Sequence, residues 1–294
     1  MEMALGYGIV RWLLDRPLSR TMTAGVVAIA ASAAVSAHAE TPRRIASFNL
    51  CADQLVAVLA DPEQVVGLSP YASDPNNSTV AEQARKFPKL RLQAEALVPY
   101  QPDLVLVGTW DRPLTQRLLR SLGFRVVRMD VAPNLDGARA QIREVAALIG
   151  QSARGAALIA GIDAAQQRLK AALRPASTSA LLVGNNGYTV GPESLASALM
   201  AEAGLTPPPG APRGYGGYVP LEKLIELRPD YLVLSSMIEQ PAGQGAVYVT
   251  HPALRAMYPP EKRIVLPSRF TLCAGPSLIP AFDYLAEVMA KLPR

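Results

Sequence analysis

Three features of this sequence predict an α/β architecture of two similar lobes. Short apolar strands alternate with helical segments, one motif recurs 127 residues apart, and a long helical stretch lies between the two copies. The alternation begins at Arg44–Phe48, a short strand, followed by a helix over Ala52–Leu59 whose Asp53 complements the dipole at its N-terminus. Gln64–Leu68 reads as a second strand. Ala94–Val98 forms a helical turn ahead of Pro102–Val107, a nearly all-apolar strand of the buried parallel kind. Leu114–Leu122 has helical spacing and stops at Gly123, a C-cap residue; Arg125–Met129 is the next strand.

From Leu135 to Arg174 the rhythm changes to nearly continuous helix. Ile142, Val145, Ile149, Leu158, Ile162 and Leu169 fall at helical spacing, and Gly150 divides a helix ending near Ile149 from one over Ala153–Leu173, which Pro175 ends. Ala180–Val183 returns to strand. The repeat pairs Glu95-Ala-Leu-Val-Pro-Tyr-Gln-Pro-Asp103 with Glu222-Lys-Leu-Ile-Glu-Leu-Arg-Pro-Asp230, each followed by a hydrophobic strand. A helix ends before proline, Pro-Asp turns the chain, and a buried strand follows. Two such units on either side of a long helix imply a lobe at 40–150, a linking helix at 151–175 and a second lobe at 176–294. A ligand cleft then falls between the lobes, at the carboxyl ends of both sets of strands.

The first 39 residues read as an export signal. Arg11, Arg16 and Arg20 precede an apolar run over Ala24–Val35, too short to span a bilayer as a helix, and Ala37-His38-Ala39 supplies a small-x-small cleavage pattern. Cys51 lies too far past this run to be a lipidation cysteine, so the expected product is a free periplasmic protein rather than a lipoprotein. The net charge of +5 falls to +4 after cleavage, 26 Lys and Arg against 22 Asp and Glu, without a clustered tract that would mark a nucleic-acid footprint. Half the residues are hydrophobic, which excludes a disordered chain, and two cysteines exclude a disulfide scaffold. Gly-x-Ser-x-Gly, His-Glu-x-x-His and P-loop patterns are missing, and His251, the one histidine beyond the signal, stands before Pro252 in a surface turn. The expectation is a binding protein and not an enzyme; a metal-centred periplasmic enzyme is the reading from another class.

Taken together, Arg44-Ile-Ala-Ser-Phe-Asn-Leu-Cys-Ala-Asp-Gln-Leu55, Val66-Gly-Leu-Ser-Pro-Tyr71, both Pro-Asp units, Leu122-Gly-Phe-Arg-Val126 and Pro276–Leu285 give the chain its resemblance. It resembles the periplasmic substrate-binding proteins of ABC importers with a single linking helix, which carry cobalamin, ferric siderophores and haem. The resemblance implies two α/β lobes with limited hinge motion, a monomer, no resident cofactor or protein-held metal, a metal chelate as ligand (a corrinoid or ferric siderophore, alternatively haem), and an inner-membrane ABC permease as partner. It implies ligand contact from loops carrying Asn49 and Cys51, Ser69 and Tyr71, Tyr188, Tyr215 and Tyr218, and Arg269 and Cys273. Trp110 stands within a residue of a tryptophan that touches the ligand in the cobalamin branch. Haem-binding members use a tyrosine to ligate iron, a role for which Tyr71 and Tyr215 are the candidates here, and Arg213 or Arg269 suits an anionic ligand group.

Cys51 and Cys273 fall in the first loop of one lobe and the last loop of the other. A disulfide across the cleft, a soft-metal or chelate contact, and two packed thiols are all open readings. One departure stands out. Family members place a glutamate on each lobe to meet permease arginines, whereas here the segment after Trp110 carries Arg112, Arg117 and Arg120, and the closing loop carries Leu272.

Overall fold

A computed structural model describes residues 40–173, 178–235 and 246–292. The expected signal segment, residues 1–39, lies outside them, as do residues 174–177, 236–245 and 293–294. Residues 40–294 form one compact unit.

The first sheet is built from β1 (Ile45–Ser47), β2 (Val65–Gly67), β3 (Leu104–Gly108) and β4 (Val126–Met129), in the order β2-β1-β3-β4 and all parallel. β3 is buried throughout, as its unbroken apolar run predicts. Between the strands run α1 (Leu50–Leu59), the four-residue α2 (Ala81–Ala84), a 3₁₀ turn at Ala94–Tyr100, and α3 (Pro113–Ser121). α1 starts two residues earlier than the sequence suggests, because the Asn49 side chain accepts from the backbone N–H groups of Cys51 and Ala52 and caps the helix there. α3 ends before Gly123, whose φ of 85° supplies the left-handed stop.

Two long helices follow, α4 (Leu135–Leu148), capped by Asn134, and α5 (Ser152–Ala172). Gly155 lies inside α5 and lets it close on α4: a Cβ there would sit 2.4 Å from the Ala146 Cβ.

The second sheet contains β5 (Thr178–Val183), β6 (Tyr188–Val190), β7 (Leu205–Thr206), β8 (Gly216–Tyr218), β9 (Tyr231–Ser235) and β10 (Arg263–Leu266). Its order is β10-β9-β5-β6-β8, with β7 beside β5. β5, β9 and β10 run parallel, while β6 and β8 are antiparallel additions. Around it stand α6 (Leu195–Glu202), α7 (Leu221–Leu227), and the short α8 (Ala246–Val249), α9 (Pro252–Met257) and α10 (Ser268–Thr271). The chain closes with α11 (Leu278–Lys291), which packs along α5.

The repeat recurs in three dimensions. β1-β3-β4 of the first sheet corresponds to β5-β9-β10 of the second, and each Pro-Asp unit leads into the strand paired with the lobe's opening strand, β3 with β1 and β9 with β5. In both units the residue before proline is left-handed, Gln101 at φ 42° and Arg228 at φ 43°, and its N–H closes the preceding helical turn on Leu97 or Leu224. The aspartate then clamps the neighbouring strand. Asp103 accepts from the N–H groups of Arg43 and Arg44 at the entry to β1, and Asp230 from that of Ser179 in β5.

The lobes do not have separate cores. One apolar cluster runs from Ile45 and Leu55 under the first sheet, through Ile142 and Ile162 on the long helices, to Leu182 and Phe282. Smaller clusters cover the outer face of each sheet.

Candidate ligand-binding cleft

Six strands end at one cavity of about 500 Å³. From the first sheet come Asn49 beyond β1, Gly108–Trp110 at the end of β3, and Met129–Pro133 at the end of β4. From the second come Gly184 and Asn185 after β5, Ser235 at the end of β9, and Leu266 with Ser268 at the end of β10. Carboxyl ends of parallel strands present loops and no ladder partners, which is why sites form there. The lining is mostly apolar and its volume falls in the range of small-molecule sites.

Large side chains in this cavity are unusually exposed. Trp110 is 85 % exposed, Tyr215 69 %, Val131 60 % and Leu272 45 %. Their backbones are held nonetheless. The Asp111 carboxylate accepts from the Gly108 N–H at 2.6 Å, and Gln116 of α3 donates to the carbonyls of Gly108 and Asp111, so the loop carrying Trp110 is pinned at both sides. The Tyr215 loop is fastened by N–H donations from Gly191 to the Tyr215 carbonyl and from Glu193 to the Gly214 carbonyl. Close approach requires glycine here: a Cβ on Gly191 would meet the Gly214 carbonyl oxygen at 2.2 Å. The exposed rings of Trp110 and Tyr215 are thus displayed on loops held by backbone hydrogen bonds.

Cys51 and Cys273 both reach this cavity and are joined by a disulfide, with their Cα atoms 5.1 Å apart. The bridge ties the first turn of α1 to the loop before α11, across 222 residues of chain. Neither thiol is free in this arrangement.

Other expected contact residues are placed elsewhere. Ser69 is buried; its hydroxyl donates to Asp53 and its N–H bonds the same carboxylate at 3.1 Å, so it secures the turn after β2 instead of facing the cleft. Arg269 stacks over the Phe270 ring and donates to the Pro75 carbonyl of the first lobe. Tyr188 and Tyr218 are cross-strand partners of β6 and β8, packed edge-to-face with ring centroids 5.4 Å apart, and neither lines the cavity. The Tyr188 hydroxyl donates to the carbonyl of Tyr215 at 3.5 Å. Asn49 does line the cavity, but its amide is spent on capping α1 and on bonding Asp111. His251 caps α9 through Nδ1.

Tyr71 occupies a second hollow of about 600 Å³, which lies against the other side of Trp110 and also exposes Arg91, Arg112 and Thr115. Trp110 is the shared wall. Sequence reasoning passed over Val131 and Arg91; the apolar Val131-Ala132-Pro133 run directly after a strand is the signal that marks the former.

Beneath the Trp110 loop lies a buried acid. Burial raises the Asp53 carboxyl to about 7, against bonds from Ser47 and Ser69 that hold it down, and the nearby Asp111 adds to the rise. Asp111 is itself raised by burial, opposed by its bonds from Gly108 and Asn49. Among the described residues no group of three or more His, Cys, Asp or Glu side chains is arranged to hold a metal ion.

Two α/β sheets whose strand ends face one preformed cleft define a solute-binding architecture. Residues 45–257 match the family model described as periplasmic binding protein, and the chain belongs to that family. A cobalamin-binding protein of Halobacterium salinarum is 27 % identical over 178 residues, 60 % of this chain and 48 % of the relative, so the chain spans about half that relative's length. Among solved structures, a periplasmic heme-binding protein from Pseudomonas aeruginosa is similar with TM-score 0.69 at 18 % identity, covering 86 % of this chain and 94 % of the other. A periplasmic heme-binding protein from Roseiflexus sp. RS-1, in apo form, gives TM-score 0.68 at 23 % identity, covering 85 % and 98 %. No described helix is long and apolar enough to cross a membrane.

Proposed function

We propose that this chain is a periplasmic solute-binding protein that captures a metal chelate, a corrinoid or ferric siderophore, and delivers it to an inner-membrane ABC importer. The observation that carries the reading is the cleft itself: a mostly apolar cavity of about 500 Å³ at six strand ends, with Trp110 and Tyr215 displayed on pinned loops. A large, flat, amphipathic chelate suits aromatic faces of this kind, which supply area together with polar edges. The cobalamin and heme ligands named for the relatives support that class. The ligand leaves chemically unchanged, which separates binding from enzymatic turnover. Export by the N-terminal signal, with cleavage after Ala39 and no lipid anchor, completes the proposal, as does a monomeric state with lobes at 40–150 and 176–294 about the helix at 151–175.

Trp110 is the only tryptophan after residue 39 and therefore a direct reporter. Titration with cyanocobalamin, haemin and ferrichrome should quench its emission at one equivalent of one of these ligands, with the ligand recovered intact. Absence of both quenching and calorimetric heat for all three would sink the chelate class.

A second reading, haem, is favoured by Tyr71, half-exposed in the hollow behind Trp110 beside Arg91 and Arg112. In that case haemin binding gives a ferric phenolate absorption band that Tyr71→Phe removes while Tyr215→Phe does not.

A further inference from the structure

One stretch of the chain carries the protein's whole excess of positive charge. Residues 85–128 contain nine Lys and Arg against three Asp and Glu, a net +6, while the full sequence nets +5. The fold gathers this stretch into one layer. α3 and the 3₁₀ turn at Ala94–Tyr100 cover the outer face of the first sheet, their inner sides packed on Val105 and Val107 through Leu97 and Leu119, and β4 forms the sheet's edge beside them.

The outward sides are basic. Arg91, Arg112, Arg117, Arg120, Arg125 and Arg128 are all exposed, and among the described residues only Arg128 has an ion-pair partner, Asp130. On the long helices, three of the four arginines, Arg139, Arg154 and Arg168, are each paired to an aspartate of this chain, while Arg143 of α4 has no ion-pair partner among the described residues. Of the three acids within the stretch, Asp103 bonds backbone N–H groups at the entry to β1, Asp111 bonds Gly108, and Glu95 is exposed. Among the described residues none of them forms an ion pair with these arginines, and their charge is already counted in the net +6. Leu114, 68 % exposed, and Val98, 42 % exposed, stand among the guanidinium groups. Arginine forks around exposed aliphatic side chains suit carboxylates on a protein surface, since guanidinium binds carboxylate bidentately and is weakly hydrated.

α3 also has an inward task. Gln116, on its buried side, holds the loop that carries Trp110 into the cleft. We propose that the outer face of α3 docks a carboxylate-rich protein surface, and that Gln116 links this contact to the Trp110 loop. The proposal rests on the delivery role given above and names the charge of the partner's surface.

The test uses the exported protein with two probes, a fluorescein-labelled octaglutamate peptide and vesicles of phosphatidylglycerol. Octaglutamate should bind, more weakly as salt is added, and the Arg117→Glu/Arg120→Glu double variant should lose at least about tenfold in affinity, while Arg143→Glu on α4 keeps it. Equal affinity in the double variant and the parent overturns the docking face; so does binding to vesicles without binding to the peptide. Bound peptide should also shift Trp110 emission in the parent and not in Gln116→Met, and slow hydrogen exchange in the loop 108–111. An unmoved emission together with unmoved exchange in the parent overturns the link. Parallel titration with cyanocobalamin, haemin and ferrichrome keeps the two readings apart. Parent and double variant should bind the same ligand equally, whereas failure of all three ligands in both proteins would refute the chelate class and leave the peptide result standing.

Discussion

Asp53 shows what a single buried group does to the balance. It stands in the first turn of α1, where the sequence suggests a partner for the helix dipole, and the fold buries it entirely between Ser47 and Ser69. Its carboxyl is raised from 3.8 to about 7, so between these values the folded state holds a proton that the unfolded chain has released. Stability from this group is therefore complete below about pH 4 and is lost as pH rises toward 7. Each unit of separation is worth about 1.4 kcal/mol at most. Asp53→Asn keeps the shape without the titration, so its urea midpoint should stay flatter from pH 4 to 7 and exceed the parent's near pH 7.5. Parallel pH profiles for the two proteins would rule this out. Burial of this kind depends on Ser69 folding back from sixty-ninth position onto α1, a tertiary contact that leaves no local pattern. For the same reason Ser69 read as a cleft residue and Tyr188 and Tyr218 read as ligand aromatics. Trp110 and Tyr215 were legible because a strand end or a glycine-rich turn immediately places them.

At the scale of elements, the Pro-Asp repeat was legible as chain direction but not as a clamp. Local sequence states that a helix stops and a strand starts; it does not state that the aspartate reaches the entry of another strand. Asp103 receives two backbone N–H groups and Asp230 one, both from exposed positions. Asp103→Ala should therefore lower the unfolding free energy by about 1–2 kcal/mol and Asp230→Ala by about half that. The reverse order in denaturant titrations would reject the clamp. Helix packing gives a sharper contrast. Gly155 and Gly161 both interrupt α5 in the sequence, but a Cβ at Gly155 would overlap Ala146, whereas one at Gly161 would meet only the tip of Ile279 at 3.2 Å. Gly155→Ala should cost about 1–3 kcal/mol through overpacking, and Gly161→Ala should be near neutral because gained helix propensity offsets a small displacement. Equal melting temperatures for the two variants would contradict the close approach of α4 and α5. The antiparallel strands β6 and β8 were missed altogether: three residues each, with two glycines in β8, they lack the length and branched residues that announce a strand.

The whole molecule raises the question of how far its lobes move. Sequence implied two lobes about one stiff helix, whereas the packing shows a continuous core through α4, α5 and α11, so opening cannot occur by simple separation at the linker. The remaining freedom lies at the floor of the cleft, and three contacts cross it there. Arg269 reaches the Pro75 carbonyl, Gly275 lies against Leu55, and the Cys51–Cys273 bridge joins α1 to the loop before α11. Because the bridge spans 222 residues, it restricts the unfolded chain strongly as well as the native hinge. Cys51→Ser/Cys273→Ser should lower stability by about 2–4 kcal/mol, which for a chain of this size corresponds to a melting temperature lower by roughly 5–15 °C. The native consequence is separable. If the bridge keeps the cleft near its binding geometry, the double variant at 25 °C, well below its melting point, should show a broader small-angle scattering distribution and severalfold weaker binding of whichever chelate quenches Trp110. Two reactive thiols in the oxidised parent would remove the bridge from the account. Equal affinity with a lowered melting temperature would assign it to the unfolded chain alone, leaving the shared core to set the cleft.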